Sequence, residues 1–158
     1  MAGPARPRPS DAGGLRFAIV VARFNESITA ALLDGAQRTL ADRGAAPEAV
    51  EVFWAPGSFE IPLLAQACAE TGRFDAVICL GAIIRGETDH YQLIAEETAR
   101  GVGEVSLRTG VPCIFEVLAT PTRELAEARA GGSAGNKGEE AAQAAIEVAG
   151  ALRQIREG

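Results

Sequence analysis

The sequence predicts an α/β fold in a single domain: a three-layer α/β/α sandwich with a four-stranded parallel sheet in its middle layer. Short β-branched runs alternate with helical patterns four times along the 158 residues, which is typical of parallel strands joined by right-handed helical crossovers. The third run is almost continuously apolar, as expected of a strand that helices cover on both faces. Hydrophobic residues make up 47% of the chain but aromatic residues only 5%, so small aliphatic side chains must fill the core.

The predicted strands cover residues 15–22, 50–55, 74–84 and 111–119. The helix after the first strand carries apolar residues at helical spacing from Ile28 onward, and Gly44 ends it. The helix after the second strand begins near Ser58, accommodates Pro62 in its first turn and ends at Gly72.

Two further helices follow the third and fourth strands. The first of these is predicted over residues 89–108, with Thr88 or Asp89 as its N-cap. The second is short, begins at Thr120, where a capping residue is followed by a proline, and stops at the two glycines 131–132.

The last helix is predicted over residues 138–157, along an apolar stripe that reaches Ile155. Because no repeat or linker interrupts the pattern, we expect one domain over residues 15–158. Residues 1–14 contain prolines and arginines, and no signal-peptide apolar segment follows them, so they are interpreted as a flexible N-terminal arm.

The bulk composition excludes several classes of function. A net charge of −6 and a pI near 4.9 argue against a nucleic-acid partner. No apolar run reaches the roughly 20 residues that a membrane helix needs. Cys68, Cys79 and Cys113 lie in apolar segments without metal-ligand spacing, which favours reduced core thiols in a cytoplasmic protein. With one histidine besides, we expect no metal site.

In open parallel sheets, ligands bind beyond the carboxyl ends of the strands. Residues 23–25, 56–60, 85–90 and 119–121 lie at those predicted ends. His90, the only histidine of the chain, is among them. An imidazole in such a loop is a candidate for proton transfer near neutral pH, although a lone histidine is more often structural.

Two segments are candidates for binding an anion. Gly86-Glu87-Thr88 follows a strand and precedes a helix, where backbone N–H groups and the helix dipole attract negative charge; a plain capped turn is an equally good interpretation. The glycine-rich segment 130–138, which contains Lys137 and follows Arg129, could hold a phosphate by charge. It lacks the Walker spacing, and from the residues alone a flexible linker is favoured.

Aromatic residues and one acidic residue near the strand ends have two interpretations, a structural one and a ligand-binding one. The aromatic candidates are Phe24, Trp54, Phe59 and Phe115. Such residues usually belong to the core, but one of them could stack on a heterocycle. Glu60 could cap a helix or accept hydrogen bonds from a polyol.

Five stretches together resemble a known family. They are VARFN (21–25), APGSFEIP (55–62), LGAIIRGETDHYQ (80–92), VPCIFEVLAT (111–120) and RAGGSAGNKGEEAA (129–142). In this order and spacing they resemble the lumazine synthase (6,7-dimethyl-8-ribityllumazine synthase) family, over about residues 15–155. The resemblance implies a flavodoxin-like sandwich and an enzyme that condenses 5-amino-6-(D-ribitylamino)uracil with L-3,4-dihydroxy-2-butanone 4-phosphate, without metal or organic cofactor.

The resemblance also implies roles for particular residues. Substrate ring and ribityl chain would be bound by Phe24, Asn25, Gly57, Ser58, Phe59 and Glu60, by the backbone of Ile83 and Ile84, and by Phe115 from a neighbouring subunit. Phosphate would be bound by Gly86, Glu87, Thr88 and Arg129. The catalytic residues would be His90 for proton transfer, with Arg129 and Lys137 along the phosphate path.

The resemblance further implies an assembly in which the site forms between adjacent subunits of a homopentamer. Twelve such pentamers can close into a sixty-subunit icosahedral shell, which could enclose riboflavin synthase. The alternative is a non-catalytic flavin-binding or lumazine-binding protein, or a shell protein, of the same fold. His90, Arg129 and Lys137 together argue against it, because a carrier needs no such set.

Overall fold

The computed structural model describes residues 11–158, which form alternating strands and helices. The strands are β1 (Phe17–Ala22), β2 (Val50–Ala55), β3 (Ala76–Ile84), β4 (Cys113–Thr120), β5 (Ala130–Gly132) and β6 (Gly135–Asn136). The helices are α1 (Glu26–Asp42), α2 (Ile61–Glu70), α3 (His90–Thr109), α4 (Arg123–Ala128) and α5 (Lys137–Glu157).

The main sheet has four parallel strands in the order β2-β1-β3-β4, which confirms the predicted sheet. Phe17 of β1 is paired with Val50 of β2 on one side and with Ala76 of β3 on the other. The second strand is therefore added on one side of β1, and the third and fourth strands are added on its other side. This reversal of strand order between β1 and β3 is the switch point at which flavodoxin-like sheets open a crevice.

Helices cover both faces of the sheet, which confirms the three-layer arrangement. Phe17, Ile19 and Val21 point toward α1 and α5, where they join one apolar core. The residues between them, such as Val20, point to the opposite face and join a second core with α2 and α3. Alternate residues of one strand enter different cores because side chains in a strand alternate in direction.

The fourth helix begins later than predicted. Thr120 is the last residue of β4, where it is paired with Ile84 of β3. Its hydroxyl donates a hydrogen bond to the Thr122 carbonyl (2.7 Å). Thr122 is the N-cap of α4, and its side chain accepts from the Leu125 N–H (3.3 Å). Strand pairing thus overrides the local preference for a cap before Pro121.

The third helix begins at His90 with Asp89 in the N-cap position, but the Asp89 side chain makes no capping hydrogen bond. The Thr88 hydroxyl instead accepts from the His90 N–H (3.4 Å). Of the two predicted caps, Thr88 thus supplies the bond. Residues 86–88 precede the helix rather than forming its first turn.

The glycine-rich segment is a small hairpin rather than a linker. β5 and β6 are antiparallel, with Ala130 opposite Asn136. Gly131 and Gly135 have positive φ angles of 102° and 82°, a conformation that glycine adopts most readily. The hairpin delivers the chain directly into α5.

Helix α5 packs closely on α1 where it begins. A Cβ atom on Gly138 would lie 1.9 Å from the Leu32 carbonyl oxygen, so only glycine fits this contact. The Asn136 side chain donates to the Ala31 carbonyl (3.1 Å) and accepts from the Gly138 N–H (2.8 Å). Of the apolar stripe predicted along α5, Ala141 and Ala145 are buried, whereas Val148 is 40% exposed and Ile155 is 76% exposed.

At the amino-terminal side, Ala12 is buried and its N–H donates to the Arg43 carbonyl (2.8 Å). Most of the arm predicted over residues 1–14 lies outside the described residues, so its flexibility stays a prediction. Within residues 11–158, none of the helices combines the length and apolar character required to cross a membrane.

Candidate functional site

A cavity of about 420 Å³ lies beyond the carboxyl ends of β1, β2 and β3, at the switch point of the sheet. Three chain segments line it, and all three were predicted from the strand ends. The predicted residues among the lining are Phe24, Gly57, Ser58, Phe59, Glu60, Ile83, Ile84, Gly86, Thr88 and His90. The fold therefore brings most of the predicted site together within one chain.

Two aromatic rings border the cavity without being buried. Phe24 is 71% exposed and Phe59 is 56% exposed. Large apolar side chains left open to solvent around a concavity are typical of a surface that a ligand covers. Their flat faces suit a heterocyclic ring.

The turn after β2 is held from below by close packing. Ser58 is buried, and its carbonyl accepts a hydrogen bond from the Thr98 hydroxyl (3.3 Å). A Cβ atom on Gly81 of β3 would lie 2.6 Å from the Ser58 hydroxyl oxygen. A Cβ on Gly57 would lie 3.3 Å from a carboxylate oxygen of Glu60, so this carboxylate folds back over the turn.

The loop between β3 and α3 carries the polar side of the cavity. The Arg85 N–H donates to the Thr120 carbonyl (3.0 Å), which extends the pairing of β3 with β4 into the loop. His90 is exposed, lines the cavity and is the first residue of the 20-residue helix α3. The amino end of a helix carries partial positive charge, which favours an anion beside Gly86 and Thr88. Glu87 does not line the cavity.

Asn25 also lies next to the cavity without lining it. Its side-chain N–H₂ donates to the Ala82 carbonyl (2.8 Å). The amide is thus occupied by a contact within the chain.

Arg129 and Lys137 lie together, but away from this cavity. The Lys137 N–H donates to the Arg129 carbonyl (2.8 Å) across the base of the β5–β6 hairpin. The Arg129 guanidinium donates to the Leu125 carbonyl (2.9 Å), and the Lys137 ammonium pairs with Glu140 (3.1 Å). The two residues are thus adjacent in the backbone, while the Arg129 side chain lies along α4 and the Lys137 side chain lies along α5.

Phe115 lies on the edge strand β4, opposite Cys79, and is 39% exposed. The next residue, Glu116, points to the other face, toward α5. Burial raises the pKa of Glu116; the charge of Lys137 acts in the opposite direction and that of Glu140 reinforces the shift. Neither Phe115 nor Glu116 lines the cavity.

Three lining residues were not predicted: Ala82, Tyr91 and Ile94. Ile94 is four residues after His90 on α3, so helical spacing could have found it. Tyr91 is the next residue after His90, and helical spacing does not predict it. Conversely, Trp54 is not at the cavity: it packs against the α1 side of the sheet, and the Arg23 guanidinium lies 5.9 Å from its ring centroid.

The three cysteines are unpaired. Burial raises the pKa of Cys68, raises that of Cys113 to about 12, and raises that of Cys79 strongly. Inert core thiols are therefore the interpretation that the structure supports. Within residues 11–158, no group of three or more His, Cys, Asp and Glu side chains is arranged to hold a metal ion.

An open cavity at the switch point of a parallel sheet, bordered by aromatic rings and a histidine, defines a small-molecule-binding α/β protein. A family model of 6,7-dimethyl-8-ribityllumazine synthase matches residues 14–153, nearly the whole chain. The chain therefore belongs to the 6,7-dimethyl-8-ribityllumazine synthase family. The enzyme of this family is a transferase that acts in riboflavin biosynthesis, and the members of the family are oligomeric.

Proposed function

We propose that this chain condenses 5-amino-6-(D-ribitylamino)uracil with L-3,4-dihydroxy-2-butanone 4-phosphate to 6,7-dimethyl-8-ribityllumazine, with release of phosphate and water. The observation that supports this proposal is the composition of the cavity. It combines aromatic rings, a polar turn and a histidine at a helix start, as the pyrimidine, the ribityl chain and the phosphate would require. No metal or organic cofactor has a part in the proposed reaction.

The pyrimidine would lie against Phe24 and Phe59, whose exposed rings it would cover. The backbone groups of Ile83 and Ile84 would pair with its polar edge. The ribityl hydroxyls would bind to the Gly57–Glu60 turn, where the Glu60 carboxylate accepts hydrogen bonds.

The four-carbon substrate would place its phosphate at Gly86 and Thr88, before the amino end of α3, with Glu87 on the same loop. The amino group of the pyrimidine attacks the ketone carbonyl, and loss of water forms an imine. Elimination of phosphate followed by tautomerisation leaves a ketone; the ribitylamino nitrogen attacks this carbonyl, and loss of a second water closes the ring. Because the nucleophile belongs to the substrate, the protein has only to align the reactants and to move protons. His90 would transfer those protons, an effect of roughly 10²–10⁴-fold in rate.

Phe115, Arg129 and Lys137 lie outside the cavity of their own chain, so we propose that an adjacent subunit of a homopentamer supplies them. Arg129 and Lys137 are partly exposed and adjacent in the backbone, and charged donors of these two types suit a phosphate dianion. A sixty-subunit shell, with riboflavin synthase inside, is the larger assembly proposed. Sedimentation decides between them, since the shell has about twelve times the mass of the pentamer.

The reaction is tested by mixing the purified protein with both substrates and following the fluorescence of the lumazine. Formation at the spontaneous rate would reject the proposed activity and favour a non-catalytic binding protein. His90→Ala should slow turnover roughly 10²–10⁴-fold and leave substrate affinity nearly unchanged. Gln92→Ala is the matched control, because Gln92 is exposed on the same helix and does not line the cavity.

The shared site is tested by assembling His90→Ala and Arg129→Ala chains together. If the two residues act from different subunits, about a quarter of the sites in an equal mixture regain both, and activity returns. If both residues act from one chain, the mixture has no more activity than its separate components, which would reject the shared site.

We further propose that the protein acts in the cytoplasm. Support comes from the three cysteines, which are free and are interpreted as reduced core thiols. A fractionation of cells that produce the native protein would test the compartment.

A further inference from the structure

The turn between β1 and α1 has an unusual backbone. Asn25 adopts the left-handed conformation, with φ 63° and ψ 46°. Among residues 11–158, no other non-glycine residue has a positive φ. Asparagine tolerates this conformation better than most residues. The turn reverses the chain at this point, directly after Phe24.

Hydrogen bonds connect this turn to three neighbouring elements. The Phe24 N–H donates to the Pro56 carbonyl after β2 (3.1 Å), and the Asn25 side chain donates to the Ala82 carbonyl of β3 (2.8 Å). The Asn25 carbonyl accepts from the N–H groups of Ile28 and Thr29 at the start of α1 (3.0 and 3.1 Å). The Asn25–Ala82 hydrogen bond is made by a side chain, whereas the other bonds named here join backbone groups.

Phe24, in contrast, is 71% exposed. With so much of the side chain open to solvent, its ring has little packing to orient it, so the backbone on either side must set its direction. Ala82, the acceptor of the Asn25 amide, lines the same cavity as Phe24. The Asn25 amide therefore connects the turn that carries Phe24 to Ala82 of β3, which lines the cavity.

We propose that Asn25 is a positioning residue: its left-handed backbone and its bond to Ala82 hold the Phe24 ring over the cavity. This role replaces the direct ribityl contact that the family resemblance implies, and it rests on the proposed function for the identity of the ligand. Asparagine is suited both to the left-handed backbone and to the hydrogen bond with Ala82. Glycine would keep the backbone conformation but lose this hydrogen bond. Aspartate would keep the shape but would present an acceptor to a carbonyl oxygen.

The first experiment compares two ligands, the ribitylated lumazine and the same heterocycle without the ribityl chain. Asn25→Gly and Asn25→Asp should each weaken both ligands by a similar factor, about three- to thirtyfold. In a double-mutant cycle with Phe24→Ala, the Asn25 substitutions should cause little further loss. Glu26→Gln, in the exposed first turn of α1, is the matched control and should change neither affinity.

Three outcomes would overturn the proposal. A loss confined to the ribitylated ligand would show that Asn25 contacts the polyol. Losses that add fully to that of Phe24→Ala would show that the two residues act independently. Unchanged affinity in both Asn25 variants would show that the tether has no effect on the ring.

A second measurement separates this proposal from the proposed function. Trp54 is the sole tryptophan of the chain, and its ring centroid lies 5.9 Å from the guanidinium of Arg23, the residue two positions before Asn25. Loosening the turn in Asn25→Asp should shift Trp54 emission and increase its quenching by iodide, whereas Glu26→Gln should not. If the wild-type protein binds neither ligand, the proposed function fails. If Trp54 emission is the same in Asn25→Asp and in the wild type, the positioning role is overturned independently of the ligand.

Discussion

Replacing Gly138 by alanine tests the contact between the first turn of α5 and the backbone of α1. The new Cβ would lie 1.9 Å from the Leu32 carbonyl oxygen and 2.9 Å from the Asn136 side-chain oxygen. A backbone carbonyl in the middle of a helix cannot rotate away, so α5 itself must move. Any such movement also stretches the cap in which Asn136 accepts from the Gly138 N–H (2.8 Å).

The expected cost follows from these two contacts. Overpacking of a tight interior costs about 1–3 kcal/mol, and weakening an N-cap costs about 0.5–2 kcal/mol. Alanine regains up to about 1 kcal/mol in helix propensity. The free energy of unfolding should therefore fall by about 1–4 kcal/mol, or about 4–10 °C in Tm near the middle of that range.

Gly103→Ala is the matched control, because Gly103 is an exposed glycine inside helix α3. Apart from its neighbours in the helix, no atom of residues 11–158 lies within 4 Å of a Cβ added at Gly103. It should gain about 0.5–1 kcal/mol. Both variants are unfolded by urea and by heat at equal protein concentration, with sedimentation to check that the same oligomer is compared. Equal stability of the two variants, or a more stable Gly138→Ala, would refute the close contact between α1 and α5.

Further predictions concern buried ionisable groups and the floor of the cavity. Because burial raises the pKa of Glu116, the folded protein binds protons more readily there than the unfolded chain, and the residue costs stability as the pH rises through and above the ordinary glutamate range. Glu116→Gln should therefore raise Tm at pH 7, with a gain that disappears below the ordinary pKa of 4.5; an equal gain at all pH values would contradict this. At a pKa of about 12, only about one Cys113 thiol in ten thousand is ionised at pH 8. The buried Cys79 and the half-buried Cys113 should therefore react with a disulfide reagent much faster after unfolding than in the native protein; equal labelling rates would contradict this. Gly81→Ala should displace the Ser58 hydroxyl, which lies 2.6 Å from the new Cβ, and should lower stability by about 1–3 kcal/mol and affinity for ribitylated ligands; wild-type affinity in a variant that folds would show that Ser58 does not contribute to binding.

The cavity was predictable from the strand pattern. Each strand can be read from its own residues, and parallel strands end at one edge of a sheet whatever their order. That rule alone places Phe24, the Gly57–Glu60 turn and His90 on the same side of the molecule, as the structure does. The lining residue Ile94 needed one further step, the four-residue helical spacing from His90.

The hairpin between α4 and α5 could not be predicted in the same way. Glycines in segment 130–138 suggested a phosphate loop or a linker, since both need flexible backbone. Their actual reasons differ from one position to the next: Gly131 and Gly135 adopt positive φ, whereas Gly138 leaves room for the Leu32 carbonyl. The last reason involves α1, about a hundred residues away in the chain, which no local pattern describes.

By itself, the sequence determined the four strands, the helices between them and the edge at which a ligand site would form, because periodicity in hydrophobic residues depends only on near neighbours along the chain. Only the tertiary structure decided that the sheet runs β2-β1-β3-β4, that Asn25 is tied to β3, and that Arg129 and Lys137, adjacent in the backbone, do not line the cavity of their own chain. These features depend on contacts between distant segments, and such contacts are selected by how whole elements pack together.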